Sequence, residues 1–259
     1  MILLQANGTY DAKVQKAGLD YTTAIKACMN NGDAPYIAVF EDDVIFSNGW
    51  VARTVELLSD LEAQNEHWSD MRLFTPERSM GWSPTTVKLA TFLSIAPAIL
   101  AAVLIPRIRI LRKAIDPRTV RWVVPIVVPL TVWFILEAGK YSIFPPSPGL
   151  HQQRWGCCTQ AIVFSRKTLS EMVPCLDLTV LDRPYDLAIR DCAFSLNLHR
   201  WIAQPSLVQH LGFKSLINPN RSSADAVWSV SFEDMDGHAV LQQQKRLVQQ
   251  IYGSSGILS

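Results

Sequence analysis

Charge is scarce in this chain. Only 18% of its 259 residues are Asp, Glu, Lys or Arg, against about 25% in an average soluble domain. Glycine, at 12 residues, is too sparse for collagen, and a hydrophobic share of 49% argues against disorder. There is no basic excess: the formal net charge is +1, which speaks against a nucleic-acid-binding tail and leaves no nucleic-acid partner expected. The five cysteines contain no C-x-x-C spacing of the zinc kind, and no internal repeat is present. Met1-Ile2-Leu3-Leu4 is followed at once by polar residues, so no cleavable export signal is expected.

What is present is unevenly spread. Residues 106–121 gather six basic side chains (Arg107, Arg109, Arg112, Lys113, Arg118 and Arg121) around one acid, Asp116, so acidic groups predominate elsewhere. This basic island separates two uncharged runs, seventeen residues over 89–105 (LATFLSIAPAILAAVLI) and fifteen over 122–136 (WVVPIVVPLTVWFIL). As helices they would reach about 26 and about 22 Å, short of a hydrocarbon core about 30 Å thick. Lys88, Arg121 and Lys140 can extend their stems at the margins. Pro97, Pro125 and Pro129 suit soluble helices poorly and are better tolerated in spanning ones. The pattern predicts a transmembrane hairpin over 84–140, with the loop 106–121 cytosolic by the positive-inside tendency. Both flanks, 1–80 and 141–259, are then lumenal, and export of the first would require an anchor upstream of Met1. A buried helical hairpin in a soluble domain is the alternative for runs of this length.

Cys157, Cys158, Cys175 and Cys192 share the second flank, and Cys28 is alone in the first. The distribution fits an oxidising lumen, and four cysteines allow three pairings. Asn7-Gly8-Thr9 and Asn220-Arg221-Ser222 are glycosylation sequons on the same side.

In the first flank, Tyr21, Ala24, Ile25, Cys28 and Met29 recur at helical spacing, with Asp20 as the predicted cap and Gly32 as the stop. Tyr36 to Phe40 is a short apolar run suited to a buried strand. Ser47-Asn48-Gly49 turns the chain into a helix expected to bury Val51, Val55, Leu58 and Leu61, and residues 71–74 read as another strand. In the second flank the pattern predicts a strand over 158–164 and a helix over 167–173. A second helix opens at 182–186, a strand follows at 201–203, and a C-terminal helix covers 239–251. This alternation points to an α/β domain with a partly parallel sheet. Eighty residues make a poor core alone, so the simplest reading is one domain assembled from both flanks and interrupted by the hairpin.

Glu41-Asp42-Asp43 follows the first predicted strand directly. Adjacent carboxylates repel one another unless a cation or solvent relieves them. In open α/β sheets, ligands sit beyond the carboxyl ends of strands. Glu41 and Asp43, two residues apart, can project to one side and offer hard oxygen ligands. A divalent ion held there would neutralise a diphosphate leaving group. An exposed acidic turn is the other reading of the same residues.

The stretch V-F-E-D-D-V-I-F-S-N-G-W (39–50) resembles the metal and nucleotide-sugar motif of GT-A glycosyltransferases. R-P-Y-D-L-A-I-R-D-C-A (183–193), followed by I-A-Q-P-S-L-V-Q-H-L-G (202–212), is similar to the distal part of the N-acetylglucosaminyltransferase IV group. A GT-A domain split by two consecutive transmembrane helices resembles more closely the Golgi transferases that add N-acetylgalactosamine to glycosylphosphatidylinositol (GPI) anchors. The likeness covers most of residues 20–240. It implies a Rossmann-like GT-A fold and a manganese-dependent transfer from a UDP-sugar, UDP-N-acetylgalactosamine above all. The acceptor would be the mannose of a GPI glycolipid or GPI-anchored protein, in a multi-pass Golgi or endoplasmic-reticulum membrane with the catalytic domain lumenal. An N-acetylglucosaminyltransferase acting on N-glycans and an inactive membrane pseudoenzyme are the alternatives.

Residue by residue, the resemblance assigns Asp43, Glu41 and His210 to the metal, and Glu41 and Asp42 to the donor. It assigns Asp186 to the acceptor-side base, with Asp182 and Asp191 as competitors. Trp155 and Gly156 would lie against a donor or acceptor sugar. Without the resemblance, His210 suits a core position beside Gly212 and Asp186 a helix N-terminus. Only forty residues precede Glu41, whereas a GT-A nucleotide pocket begins well before its acidic motif, so the domain is expected to be N-terminally incomplete.

Overall fold

A computed structural model of the chain describes residues 10–64, 67–78, 81–107, 116–153, 158–212, 228–233 and 237–252. In chain order the elements are α1 (Tyr10–Asn30), β1 (Tyr36–Phe40), β2 (Val44–Phe46), α2 (Trp50–Ala63) and β3 (Trp68–Arg72). The apolar segment forms α3 (Pro84–Leu104), α4 (Pro117–Ala138) and the short α5 (Lys140–Ile143). Then come β4 (Gly149–Gln152), β5 (Ala161–Ser165), α6 (Arg166–Thr179), α7 (Tyr185–Ser195), β6 (His199–Gln204), β7 (Val208–His210), α8 (Val230–Glu233) and α9 (Gly237–Tyr252). They divide into two compact units, one of residues 1–76 with 146–259, the other of residues 77–145.

The first unit is built on a five-stranded sheet in the order β1-β5-β3-β6-β4, in which only β3 and β6 run parallel. The sheet is mixed α/β and consistent with a Rossmann-like domain. Its strands carry apolar side chains on both faces because both faces are covered. On β5, Ala161 and Val163 join Leu57, Leu61 and Trp68 on the α2 side, while Ile162 and Phe164 join Ile25, Leu169 and Met172 on the side of α1, α6 and α7. That alternation is the two-residue period of a strand.

Two local expectations are corrected. Asp20 does not cap a helix, because α1 begins ten residues earlier, and Asp20 pairs with Lys16 one turn back. The helix α2 buries Ala52, Thr54, Leu57, Leu58 and Leu61, and leaves Val51 and Val55 55% and 45% exposed. Its start was legible: Gly49 holds φ at 75°, a conformation open to glycine.

The sheet itself carries a buried ion cluster, with Asp70 and Arg72 on β3 and Arg200 on β6. Arg200 donates through Nε to Asp70 Oδ1 (2.9 Å), Ser69 donates to the same oxygen (2.7 Å), and Arg72 Nε stands 3.8 Å from Asp70 Oδ2. Burial resists ionisation of Asp70, yet the Arg200 and Arg72 guanidinia outweigh it and hold the carboxyl below its ordinary value. A disulfide joins Cys175 on α6 to Cys192 on α7. Cys158 is also disulfide-bonded, while Cys28 is free and exposed. Cys157 and both sequons lie outside the described residues.

In the second unit the helices outrun the uncharged stretches that announce them. The 21 residues of α3 and 22 of α4 reach about 31 and about 33 Å, enough for a hydrocarbon core where the bare runs were short. Ser83 starts α3, its Oγ accepting from the Thr86 N–H at 3.0 Å, and Pro84 occupies the first turn where its missing N–H costs nothing. The buried stripe of α3 is Ser94, Ala98 and Ala102, small residues four apart that let helices approach closely. Phe92, Leu93, Trp122, Ile126 and Phe134 face outward. Both helices are long and apolar enough to cross a membrane.

Candidate active site

The acidic trio sits where β1 leaves the sheet. The β1–β5 ladder continues to Glu41, whose N–H donates to Gln160 O (2.9 Å), so the residue is held at the carboxyl end of its strand. Two residues on, β2 pairs antiparallel with β7, setting Val44 opposite His210, and the Leu211 N–H donates to Asp43 O at 2.8 Å. This pairing brings together side chains 167 positions apart. His210 Nε2 lies 3.1 Å from Asp43 Oδ2, with the histidine side chain 11% and the aspartate 41% exposed.

Glu41, Asp43 and His210 each offer one ligand atom, and these atoms lie within 4.8 Å of one another. Three observations bear on whether the trio fits a cation. Asp43 Oδ1 and His210 Nδ1 are buried without a hydrogen-bond partner, so both leave polar capacity unused. A Cβ on Gly212 would stand 2.2 Å from Asp43 Oδ2 and 2.7 Å from His210 Nε2, so the second residue after β7 must be glycine for these groups to keep their place. Two carboxylates and an imidazole make a hard, oxygen-rich donor set suited to a divalent ion. The residues fit.

Glu41 is held from the opposite side. Tyr185 Oη donates to its Oε1 at 3.0 Å, and Thr159 Oγ1 donates to the same oxygen at 3.2 Å. Burial raises the Glu41 carboxyl above its ordinary value. The Tyr185 hydrogen bond opposes that shift, and the nearby Asp43 charge adds to it. Asp42 points outward and is exposed.

Asp186 lies in the first turn of α7, next to Tyr185. Burial raises its carboxyl, against the pull of backbone N–H groups of Leu187 and Asp186 and of the Arg190 and Arg200 charges. Of its competitors, Asp191 is paired with Arg183 (2.7 Å) and Arg190 (2.8 Å), and Asp182 is exposed. Trp155 and Gly156 lie outside the described residues. The sequence reading missed Tyr185, Thr159 and Gly212. Tyr185 stood inside a quoted motif but offered no sign that it reaches a residue 144 positions away.

Comparison with known proteins places the chain among the glycosyltransferases. The match is to the family of the GPI-N-acetylgalactosamine transferase PGAP4 and runs over residues 4–209, through Glu41, Asp43 and Asp186 and ending one residue before His210. The chain belongs to this family. No curated protein matches it significantly.

Proposed function

We propose that the chain transfers N-acetylgalactosamine from UDP-N-acetylgalactosamine to the mannose of a GPI glycan, with a divalent cation, manganese, held by Asp43, Glu41 and His210. The observation that carries this reading is the meeting of those three side chains at the carboxyl end of β1, with buried lone pairs left unmatched. A GT-A arrangement is the reading of the surrounding α/β unit. Bound at this trio, the cation would supply charge neutralisation for the departing diphosphate. Asp42, exposed beside the trio, is assigned to the donor, and Trp155 and Gly156 to a donor or acceptor sugar.

Asp186 acts as the base. A hydroxyl of the acceptor mannose forms the new C–O bond at the anomeric carbon, the bond from that carbon to the UDP oxygen breaks, and the hydroxyl proton passes to the Asp186 carboxylate. A carboxyl raised by burial is a stronger base than an exposed one, which suits it to this transfer.

The two apolar helices support a membrane hairpin, with 106–121 cytosolic and the flanks 1–80 and 141–259 forming one lumenal domain of the Golgi. The Cys175–Cys192 bond is consistent with an oxidising compartment. The test is transfer of labelled N-acetylgalactosamine by the purified chain in lipid nanodiscs. Transfer to a GPI glycolipid with Mn2+, lost with a chelator and in Asp43→Asn, supports the reading. Transfer to soluble N-glycans instead, or none to either acceptor, overturns it.

A further inference from the structure

Among the described residues, the Glu41 carboxylate is gripped on one oxygen. Both of its side-chain hydrogen bonds, from Tyr185 Oη (3.0 Å) and Thr159 Oγ1 (3.2 Å), fall on Oε1. These two bonds leave Oε2 unused, in a carboxylate that has an oxygen within 4.8 Å of the ligand atoms of Asp43 and His210. The tyrosine is itself fixed, since its ring stacks on that of Tyr21 at 4.7 Å between centroids with planes 23° apart. Tyr21 belongs to α1, Tyr185 to α7 and Glu41 to the end of β1, so three elements converge on one carboxylate. Fixing a single rotamer of a flexible glutamate in advance spares the ordering cost when a ligand arrives.

We infer that Tyr185, seconded by Thr159, is a positioning residue that presents Glu41 to the cation. The inference rests on the metal reading above. The Tyr185 hydroxyl acts through Glu41, whose Oε1 it holds. Because Asp186 is the neighbour of Tyr185 on α7, the same hydroxyl also ties the helix that bears the proposed base to Glu41 at the end of β1.

The test is a double-mutant cycle on the full chain in detergent, read by Mn2+ binding in electron paramagnetic resonance and so independent of turnover. Tyr185→Phe keeps the ring stack and removes only the hydroxyl. It is expected to weaken Mn2+ affinity by about three- to tenfold, the range of one hydrogen bond. Thr159→Val is expected to act in the same direction and serves where Tyr185→Phe folds poorly. In a Glu41→Gln background, Tyr185→Phe should add little, because residues that act as a unit are not additive. Equal affinity in Tyr185→Phe and wild type overturns the inference and leaves the metal reading intact. An equal loss with and without Glu41→Gln also overturns it, since the tyrosine would then act by another route. No Mn2+ binding by the wild-type chain sinks the metal reading and this inference together.

Discussion

At the scale of single residues, the trio is defined as much by Gly212 as by its own side chains. Gly212→Ala puts a carbon within 2.2 Å of Asp43 Oδ2, far inside van der Waals contact, and must displace Asp43 or His210. Mn2+ affinity should fall at least tenfold while the thermal midpoint changes by only a few degrees; isothermal titration and calorimetry measure the two. Asp43→Asn should weaken binding further, because it removes a charge as well as a ligand oxygen. Glu41 adds a pH dependence whose sign follows from burial. Its carboxyl is raised above the usual 4.5, so it takes up a proton before an ordinary glutamate would as the solution is acidified. Mn2+ binding should be full well above that raised value and decline as the pH falls through it. A titration of Mn2+ affinity against pH whose decline begins only below 4.5 would contradict this account of the Glu41 environment.

At the scale of elements, α7 bears Tyr185 and Asp186, and two devices stabilise the fold around it. One is the Cys175–Cys192 bond to α6, with a sequence separation of 17. Closing a loop of that size restricts the unfolded chain by about 3 kcal/mol. Cys192→Ser should therefore lower unfolding free energy by roughly that amount in chemical denaturation. The other is the ion cluster on strands β3 and β6, where Asp70 answers the buried charge of Arg200. Asp70→Asn strands that charge and should cost about 3–5 kcal/mol. Because Asp70 is held below its ordinary 3.8, its contribution is present above that pH and fades as acid carries the solution down through the lowered value. The variant should lack that acid limb of the stability profile.

Legibility in the sequence varied with the range of the interaction responsible. The strand Tyr36–Phe40 and the carboxylates after it were readable because an apolar run and its terminus are local. The burial face of α2 was readable in part: Leu58 and Leu61 are buried as expected, but Val51 and Val55 are as apolar as Leu57 and only packing decides between them. Asp20 looked like a cap because the polar half of α1 before it has no apolar stripe, although Val14 is buried. The grip on Glu41 spans 118 and 144 positions, beyond any pattern a short window can hold.

At the scale of the whole molecule, the chain runs from the α/β unit into two apolar helices and back, so the unit is tied twice to whatever surrounds α3 and α4. A bilayer and water make opposite demands on those helices, which allows a test by substitution. Leu93, 54% exposed on α3, and Ile126, 62% exposed on α4, lie near the helix midpoints. In water, an arginine at such a position changes stability by less than about 0.5 kcal/mol and improves solubility. In a hydrocarbon core the same side chain costs about 2.5–3.5 kcal/mol on insertion scales. Leu93→Arg and Ile126→Arg should therefore each reduce the fraction of chain that resists alkaline extraction from membranes, and the double variant should reduce it further. Substitutions that leave extraction unchanged and raise the yield of soluble chain would place the hairpin in water. The family's GPI acceptor would then have to be met without the bilayer that holds its lipid at the plane of the helices.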